Sequence, residues 1–308
     1  MKKEFRKFII SSLIVLAIVI ATDFVLGKTM RILLANTSNK EDIGKTYFSL
    51  NEVSTPIVIV GSSRASHHYV SNIIEEKLNL ETYNVGRDGC FFSYNCCVVN
   101  SILDRYCPKF IIWENDINSL YKESNDPLES IYPYYKQNDY ITNLIKERSK
   151  FSDILKLNSN LYRYNSIIHK IVMINVLNKS FADKTIKGYS PLPPKINREL
   201  RLEVDDNTFD KEVSDLKVET LRKTLEKAKQ NDVKIIIVDS PKYILQNPNS
   251  QSAEIMKKIC NEYDMTFINN TQLSQFLENP EYFNDKTHLN HEGAMVYTYI
   301  FVDQININ

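Results

Sequence analysis

The sequence predicts an α/β protein. A mainly parallel, five-stranded sheet should be covered by helices on both faces, with a membrane-spanning helix ahead of it. Three observations carry this reading. Short continuous apolar runs, Ile57–Val60 and the KIIIV run at 234–238 among them, alternate with segments of helical spacing. Strands buried on both faces need such runs, and alternation with helices implies parallel order. The third observation is an N-terminal apolar stretch with a basic flank.

In that stretch Lys2, Lys3, Arg6 and Lys7 precede an almost uncharged run from Phe8 to Thr22, and apolar character resumes after Asp23 through Leu26. A span of about 18 residues is enough to cross a bilayer. No small-x-small cleavage site follows, and no Cys stands where a lipid-modified terminus needs one. Residues 1–27 are therefore expected to be a signal anchor with its basic end inside, leaving the rest of the chain outside the cytoplasm. A buried core helix is the alternative. Residues 28–55 read as a polar connector with some local structure.

The alternation then runs as follows. Strand 57–60 leads to a helix over 70–78, with Val70, Ile73, Ile74 and Leu78 on one face. A weaker strand at 82–85 precedes a helix over 91–106 with Val98, Val99, Ile102 and Leu103 inward. Strand 110–113 closes the first half. The second half has a helix at 218–230, strand 234–238, a helix at 253–263, strand 266–268 and a last helix at 293–304. Residues 121–215 interrupt the pattern with Tyr132, Tyr134, Tyr135 and Tyr140, helices near 139–149 and 160–178, and the Pro-rich loop 191–194. This segment reads as an insertion, either extra core helices or a lid or groove near the site mouth.

Composition excludes several classes. Of 308 residues, Lys+Arg and Asp+Glu each number 38, so charge gives no reason to expect nucleic acid. The five cysteines, Cys90, Cys96, Cys97, Cys107 and Cys260, include no C-x-x-C pair and are odd in number. They read as thiols packed like small hydrophobes rather than a zinc site. No metal and no cofactor is expected.

The ligand site of such a sheet lies beyond the carboxyl ends of its strands, and the chemistry-bearing residues fall there. Ser63 follows the first strand in Gly61-Ser62-Ser63, and Asp285-Lys286-Thr287-His288 precedes the last helix. A serine hydroxyl needs a base within reach and a carboxylate holding that base's tautomer. His288 is the candidate base and Asp285 its orienting acid, with Asn290 as a helix cap that fixes their turn. An oxyanion needs donors. Ser63 N–H, Gly86 N–H after the second strand and the Asn115 side chain after the third form a candidate hole. Ser62, Trp113, Asp116 and Asp239 are candidate pocket-lining residues, the last two also alternative acids. Ser62 and Ser66 are rival nucleophiles. His67, His68 and His291 read as capping or rim residues.

These blocks, taken in order, resemble the SGNH hydrolase superfamily of GDSL-type esterases and acyltransferases. The matching residues are Gly61-Ser62-Ser63, Gly86 within N-x-G-x-x-G, Asn115 within E-N-D, and Asp285-x-x-His288, spanning about 56–304 with the insertion unmatched. The resemblance implies a flavodoxin-like three-layer α/β/α sandwich over 56–308. It also implies cleavage or transfer of ester-linked acyl groups. Two residues depart from the pattern: Ser62 stands where the family has Asp, and Trp113 where it has Gly. The first departure also occurs in membrane-anchored relatives that modify cell-surface polymers. The expected partners are thus an ester-bearing glycan or other small acylated substrate, the lipid bilayer through the N-terminal helix, and an envelope-protein complex. A non-catalytic glycan-binding or scaffold protein of the same fold is the competing expectation, motivated by Ser62, Trp113 and the Tyr-rich insertion.

Overall fold

The computed structural model describes residues 2–38, 42–122, 124, 126–177, 185–194, 200–205 and 211–305. Stretches 178–184, 195–199 and 206–210 of the expected insertion lie outside the described residues. The helices are α1 (Lys2–Ala35), α2 (Asp42–Asn51), α3 (Ser63–His68), α4 (Ser71–Leu78), α5 (Phe92–Arg105), α6 (Asp139–Arg148), α7 (Phe151–Leu157), α8 (Ile168–Asn175), α9 (Asp215–Gln230), α10 (Gln251–Glu262), α11 (Ser274–Leu277) and α12 (His291–Gln304). The strands are β1 (Ile57–Val60), β2 (Thr82–Asn84), β3 (Phe110–Glu114), β4 (Glu203–Val204), β5 (Lys234–Asp239), β6 (Ile244–Leu245) and β7 (Thr266–Asn269). Contacts group the chain into two units, Met1–Tyr47 with Leu128–Phe181, and Phe48–Pro127 with Ala182–Asn308.

The second unit holds the five-stranded sheet, in the order β2-β1-β3-β5-β7 with every neighbouring pair parallel. Counting these five strands alone, this is the doubly wound 2-1-3-4-5 order of flavodoxin-like folds. Chain direction along the sheet reverses at β1 and β3, so the crevice lies at their carboxyl ends. The expected architecture is the observed one. All of β1 is buried, as a strand covered on both faces must be. On one face Ile57, Ile59, Ile112, Ile236 and Val238 share a core with Ala65 of α3, Ile74 of α4 and Tyr297 and Phe301 of α12. On the other face Trp113 stacks on Phe92 of α5, with ring centroids 5.9 Å apart, and α5 packs on α9 and α9 on α10. Ser214, Ser250 and Asn290 accept backbone N–H groups at the starts of α9, α10 and α12. Each cap satisfies an orphan donor of a first turn.

Three features differ from the sequence reading. α3 is a separate six-residue helix directly after β1, too short for periodicity to register. β4 and β6 form a small parallel pair of their own. The expected helix at 160–178 begins as a 3₁₀ turn at Tyr162–Tyr164, and its α-helical part is only Ile168–Asn175.

In the first unit α1 continues past the apolar run to Ala35. Gly27, Met30 and Leu34 form its buried stripe. Gly27 admits the turn at Asn160: a Cβ there would lie 2.4 Å from the Asn160 Cβ. One turn earlier, Asp23 accepts the N–H groups of Asn160 and Leu161 at 2.8 and 3.2 Å. α1 is long and apolar enough to cross a membrane. Cys90, Cys96, Cys97 and Cys260 are buried and Cys107 is exposed.

Within the sheet-bearing unit, Lys187 O accepts the Asn84 N–H at 2.9 Å, which draws a surface loop onto the end of β2. Gly188 makes this possible, with φ +83 and no space for a Cβ, which would meet Asn84 O at 1.8 Å. Gly188→Ala should lower unfolding free energy by about 2 kcal/mol or more, from left-handed strain and the clash together. Urea denaturation checks this; an unchanged midpoint would show that the loop is not fastened there.

Candidate active site

The site starts at Gly61. Its φ of +155 turns the chain off β1, and an added Cβ would meet Ala65 Cβ and Glu114 O, each at 2.7 Å. Ser62 occupies the N-cap position of α3 without a side-chain cap bond, and Ser63 opens the helix, half-buried. A first-turn N–H has no intrahelical acceptor, so the Ser63 amide is directed outward as a donor.

Ser63, His288 and Asp285 are hydrogen bonded in series. Ser63 Oγ lies 2.7 Å from His288 Nε2. His288 Nδ1 lies 2.9 and 3.0 Å from the two Asp285 oxygens. With Nδ1–H donating to the carboxylate, Nε2 is left as the acceptor of the serine O–H. Asp285 Oδ1 also accepts the backbone N–H groups of Thr287 at 2.8 Å and His288 at 3.0 Å. Burial opposes its charge, yet the His288 and Thr287 bonds hold its carboxyl below the usual range. The Asn290 side chain caps α12 by accepting Gly293 N–H at 2.9 Å, which fixes the residues just after His288.

His68, which the sequence reading took for a capping or rim residue rather than a base, is fully buried. Its Nε2 accepts Leu289 N–H at 3.0 Å, so its Nδ1–H donates to Ser240 Oγ at 2.7 Å. Burial, with the nearby Arg64 charge, depresses its basicity and keeps it neutral. It therefore anchors the His288 loop through the next residue's backbone. His67 lies one helical turn after Ser63. Its Nδ1 contacts Ser190 O at 2.7 Å and its Nε2 the Asp88 carboxylate at 3.1 Å. Its ring meets that of His288 edge-on at 5.7 Å. His291 Nδ1 pairs with Tyr189 Oη at 2.9 Å.

Ser66, the rival nucleophile, donates to Gly86 O at 2.8 Å and is buried. Gly86 is needed for close packing, since a Cβ there would lie 2.6 Å from Ser66 N. Its N–H donates to Asn84 Oδ1 at 2.9 Å. Asn84 Nδ2 in turn donates to Ala65 O at 2.7 Å, stitching β2 to α3. The Asn115 amide donates to Ser119 Oγ at 3.0 Å and Met256 Sδ at 3.6 Å. Of the three candidate oxyanion donors, the Gly86 N–H and the Asn115 amide are already engaged within the protein.

A buried charge cluster lies next to the serine. Arg64 contacts Glu114 at 3.0 Å, Asp116 at 3.4 Å and Asp239. Lys242 contacts Asp116 at 2.7 Å and Asp239 at 3.2 Å. Tyr69 donates its hydroxyl to Glu114. Asp239, a candidate acid in the sequence reading, thus faces Arg64 and Lys242 and also accepts Ile117 N–H at 2.8 Å. A cavity of about 270 Å³ opens beside Ser62, with Phe91, Asn95, Asn115 and Asp116 among its walls. Of the four candidate lining residues, Ser62 and Asp116 reach it, while Trp113 and Asp239 are fully buried. The sequence reading missed Arg64, Glu114 and Lys242. Glu114, a charged residue ending an otherwise apolar strand, was the one signal the sequence carried.

No family model matches the chain, and no curated protein matches it. Among solved structures, TesA overlaps at 9% identity and TM-score 0.37, covering 79% of this chain and 93% of its own. LAE5, an alpha/beta hydrolase enzyme from the metagenome of Lake Arreo, Spain, overlaps at 10% identity and TM-score 0.35, with 83% and 96% covered. Overlap this loose carries no functional argument, so function rests on the site itself.

Burial pushes the Glu114 carboxyl up to about 6, against the pull of Arg64. Folded Glu114 then holds its proton more tightly than the unfolded chain does, where the value is about 4.3. The stability this contributes is full below the unfolded value and is lost as pH rises through about 6. Unfolding free energy should fall as pH rises across that window. Glu114→Gln should flatten this segment of a urea-midpoint-versus-pH curve; an undiminished slope would assign it to another group.

Proposed function

We propose that this protein is a serine-dependent esterase or O-acyltransferase. The observation that carries the reading is the unbroken series Ser63 Oγ, His288 Nε2, His288 Nδ1, Asp285. Ser63 Oγ attacks the ester carbonyl carbon as its proton passes to His288 Nε2. The tetrahedral intermediate collapses, the C–O bond to the leaving alcohol breaks, and His288 returns the proton to that oxygen. Water or an acceptor hydroxyl then attacks the acyl-serine, giving its proton to His288, and Ser63 leaves reprotonated. Asp285 stabilises the imidazolium in both halves.

Ser63 N–H is the first oxyanion donor of this reading. Asn115 is the second: its contact with the Met256 thioether is a weak hydrogen bond, which a charged oxygen can displace. Gly86 contributes by packing, because its N–H serves Asn84. In the same reading α1 is a single-pass anchor with Lys2, Lys3, Arg6 and Lys7 on the cytoplasmic side. The acyl substrate is then extracytoplasmic, a glycan or another cell-envelope component. Internal engagement of the Gly86 and Asn115 donors favours one competitor, a non-catalytic glycan-binding or scaffold protein.

A fluorophosphonate probe separates the two. The proposal expects a covalent adduct on Ser63 that is lost in His288→Ala. Ser63→Ala and His288→Ala should each lower kcat/KM for a simple ester by about 10³-fold or more, with circular dichroism unchanged. A well-folded wild-type chain that takes no adduct would overturn the proposal in favour of the scaffold reading.

A further inference from the structure

The cavity beside Ser62 has an unusual lining. Asn95, on α5, is 2% exposed. Among the described residues its Oδ1 meets no donor, and neither does that of Asn118, which also lines the cavity. Leaving a buried amide oxygen unpaired costs about 1–3 kcal/mol. Nearly all such groups in folded proteins find partners, and one left over in a cavity is a position that a ligand can complete.

The missing partner has definable chemistry. Carbonyl oxygens accept, so the ligand must bring O–H or N–H groups. A cation is not required: the carboxylates in the wall are already met, Glu114 by Arg64, Asp116 by Arg64 and Lys242, and Asp205 by Gln246, and Lys211 adds a positive charge to the same wall. The Ser62 hydroxyl makes no cap bond and can both donate and accept. Phe91 and Phe92 add an apolar wall. Polar sites that fix a ligand by several hydroxyls over an apolar surface suit a neutral polyol ring. An alkyl chain would leave both amide oxygens unpaired. The volume of about 270 Å³ lies just below the ~300–1,000 Å³ typical of small-molecule pockets, which suits one ring rather than a chain.

We propose that this cavity is a subsite for a neutral hydroxylated ring, a sugar or cyclic polyol, with Asn95 accepting from one of its hydroxyls. As a substrate subsite it rests on the acyl-transfer reading of Ser63; as a binding site it does not. In that reading the ring is the alcohol portion of the ester, or the acceptor, seated beside the serine.

The test has two arms on the full-length, detergent-solubilised chain. In the binding arm, titration of Ser63→Ala by NMR uses the methyl glycosides of glucose, galactose and N-acetylglucosamine, together with inositol. Saturable binding of at least one, weakened at least tenfold in Asn95→Leu, is expected. Absence of binding by all four overturns the proposal. In the kinetic arm, Asn95→Leu should lower kcat/KM for the O-acetylated form of the bound ring, relative to p-nitrophenyl acetate, by at least tenfold. A site built to pair a hydroxyl discriminates strongly when that pairing is lost. Equal losses on both esters would overturn the specificity role. Removing a buried orphan amide should also raise the urea midpoint of Asn95→Leu, a readout independent of turnover. Ring binding with no labelling of Ser63 would sink the catalytic reading while leaving the cavity assignment standing.

Discussion

The buried guanidinium of Arg64 is the interaction around which the rest of the site is arranged. It stands next to Ser63 in the chain and reaches carboxylates at the ends of two central strands, Glu114 of β3 and Asp239 of β5. Burying an ion costs several kcal/mol unless its partners are well placed, so Arg64 can occupy this position only with α3 seated against those strand ends. That seating accounts for two glycines. Gly61 and Gly86 both press on Ala65, leaving no space for a Cβ between helix and sheet. A lysine at 64 would lack the planar fork that engages several carboxylates at once.

Around this charged centre, the proposed base is held by a set of hydrogen bonds. His68 holds Leu289, Asn290 caps α12, and Asp285 gathers both the ring and the backbone of its own turn. The Ser190 carbonyl and Asp88 hold His67 beside them. These supports come from α3, the loop after β2, the 185–194 loop and the start of α12. A site assembled from so many segments has little freedom to reorganise, which is the condition for preorganised electrostatics.

The fold was legible because its strands are short Val/Ile runs that both faces bury, and because turn residues stand between them. The positions of Ser63, Asp285 and His288 relative to strand ends and the last helix were legible too, since topology delivers them to one edge. What escaped the sequence depends on three-dimensional closure. Ion partners as far apart as Arg64 and Asp239 leave no local pattern, and α3 is shorter than two helical turns. Gly86, read as a residue of close backbone approach that offers its N–H, packs against Ser66 and gives that N–H to Asn84, a pairing only the folded loop reveals. Asn115 lies beside the cavity as its position after β3 suggested, but its amide pairs with Ser119, a contact only the folded loop reveals. α1 ran on beyond the apolar stretch because a stripe of Gly27, Met30 and Leu34, sparse in sequence, is completed by partners more than a hundred residues away.

The seat of Asn160 on α1 has a mechanical consequence. Asp23 and Gly27 grip the 159–161 turn by a carboxylate against backbone amides and by direct apposition of main chains. A load applied along α1 therefore falls on this joint and on α8, which packs against the same helix. A pull on the helix acts on the 159–161 turn directly, as on a lever pinned at that point rather than on a leash.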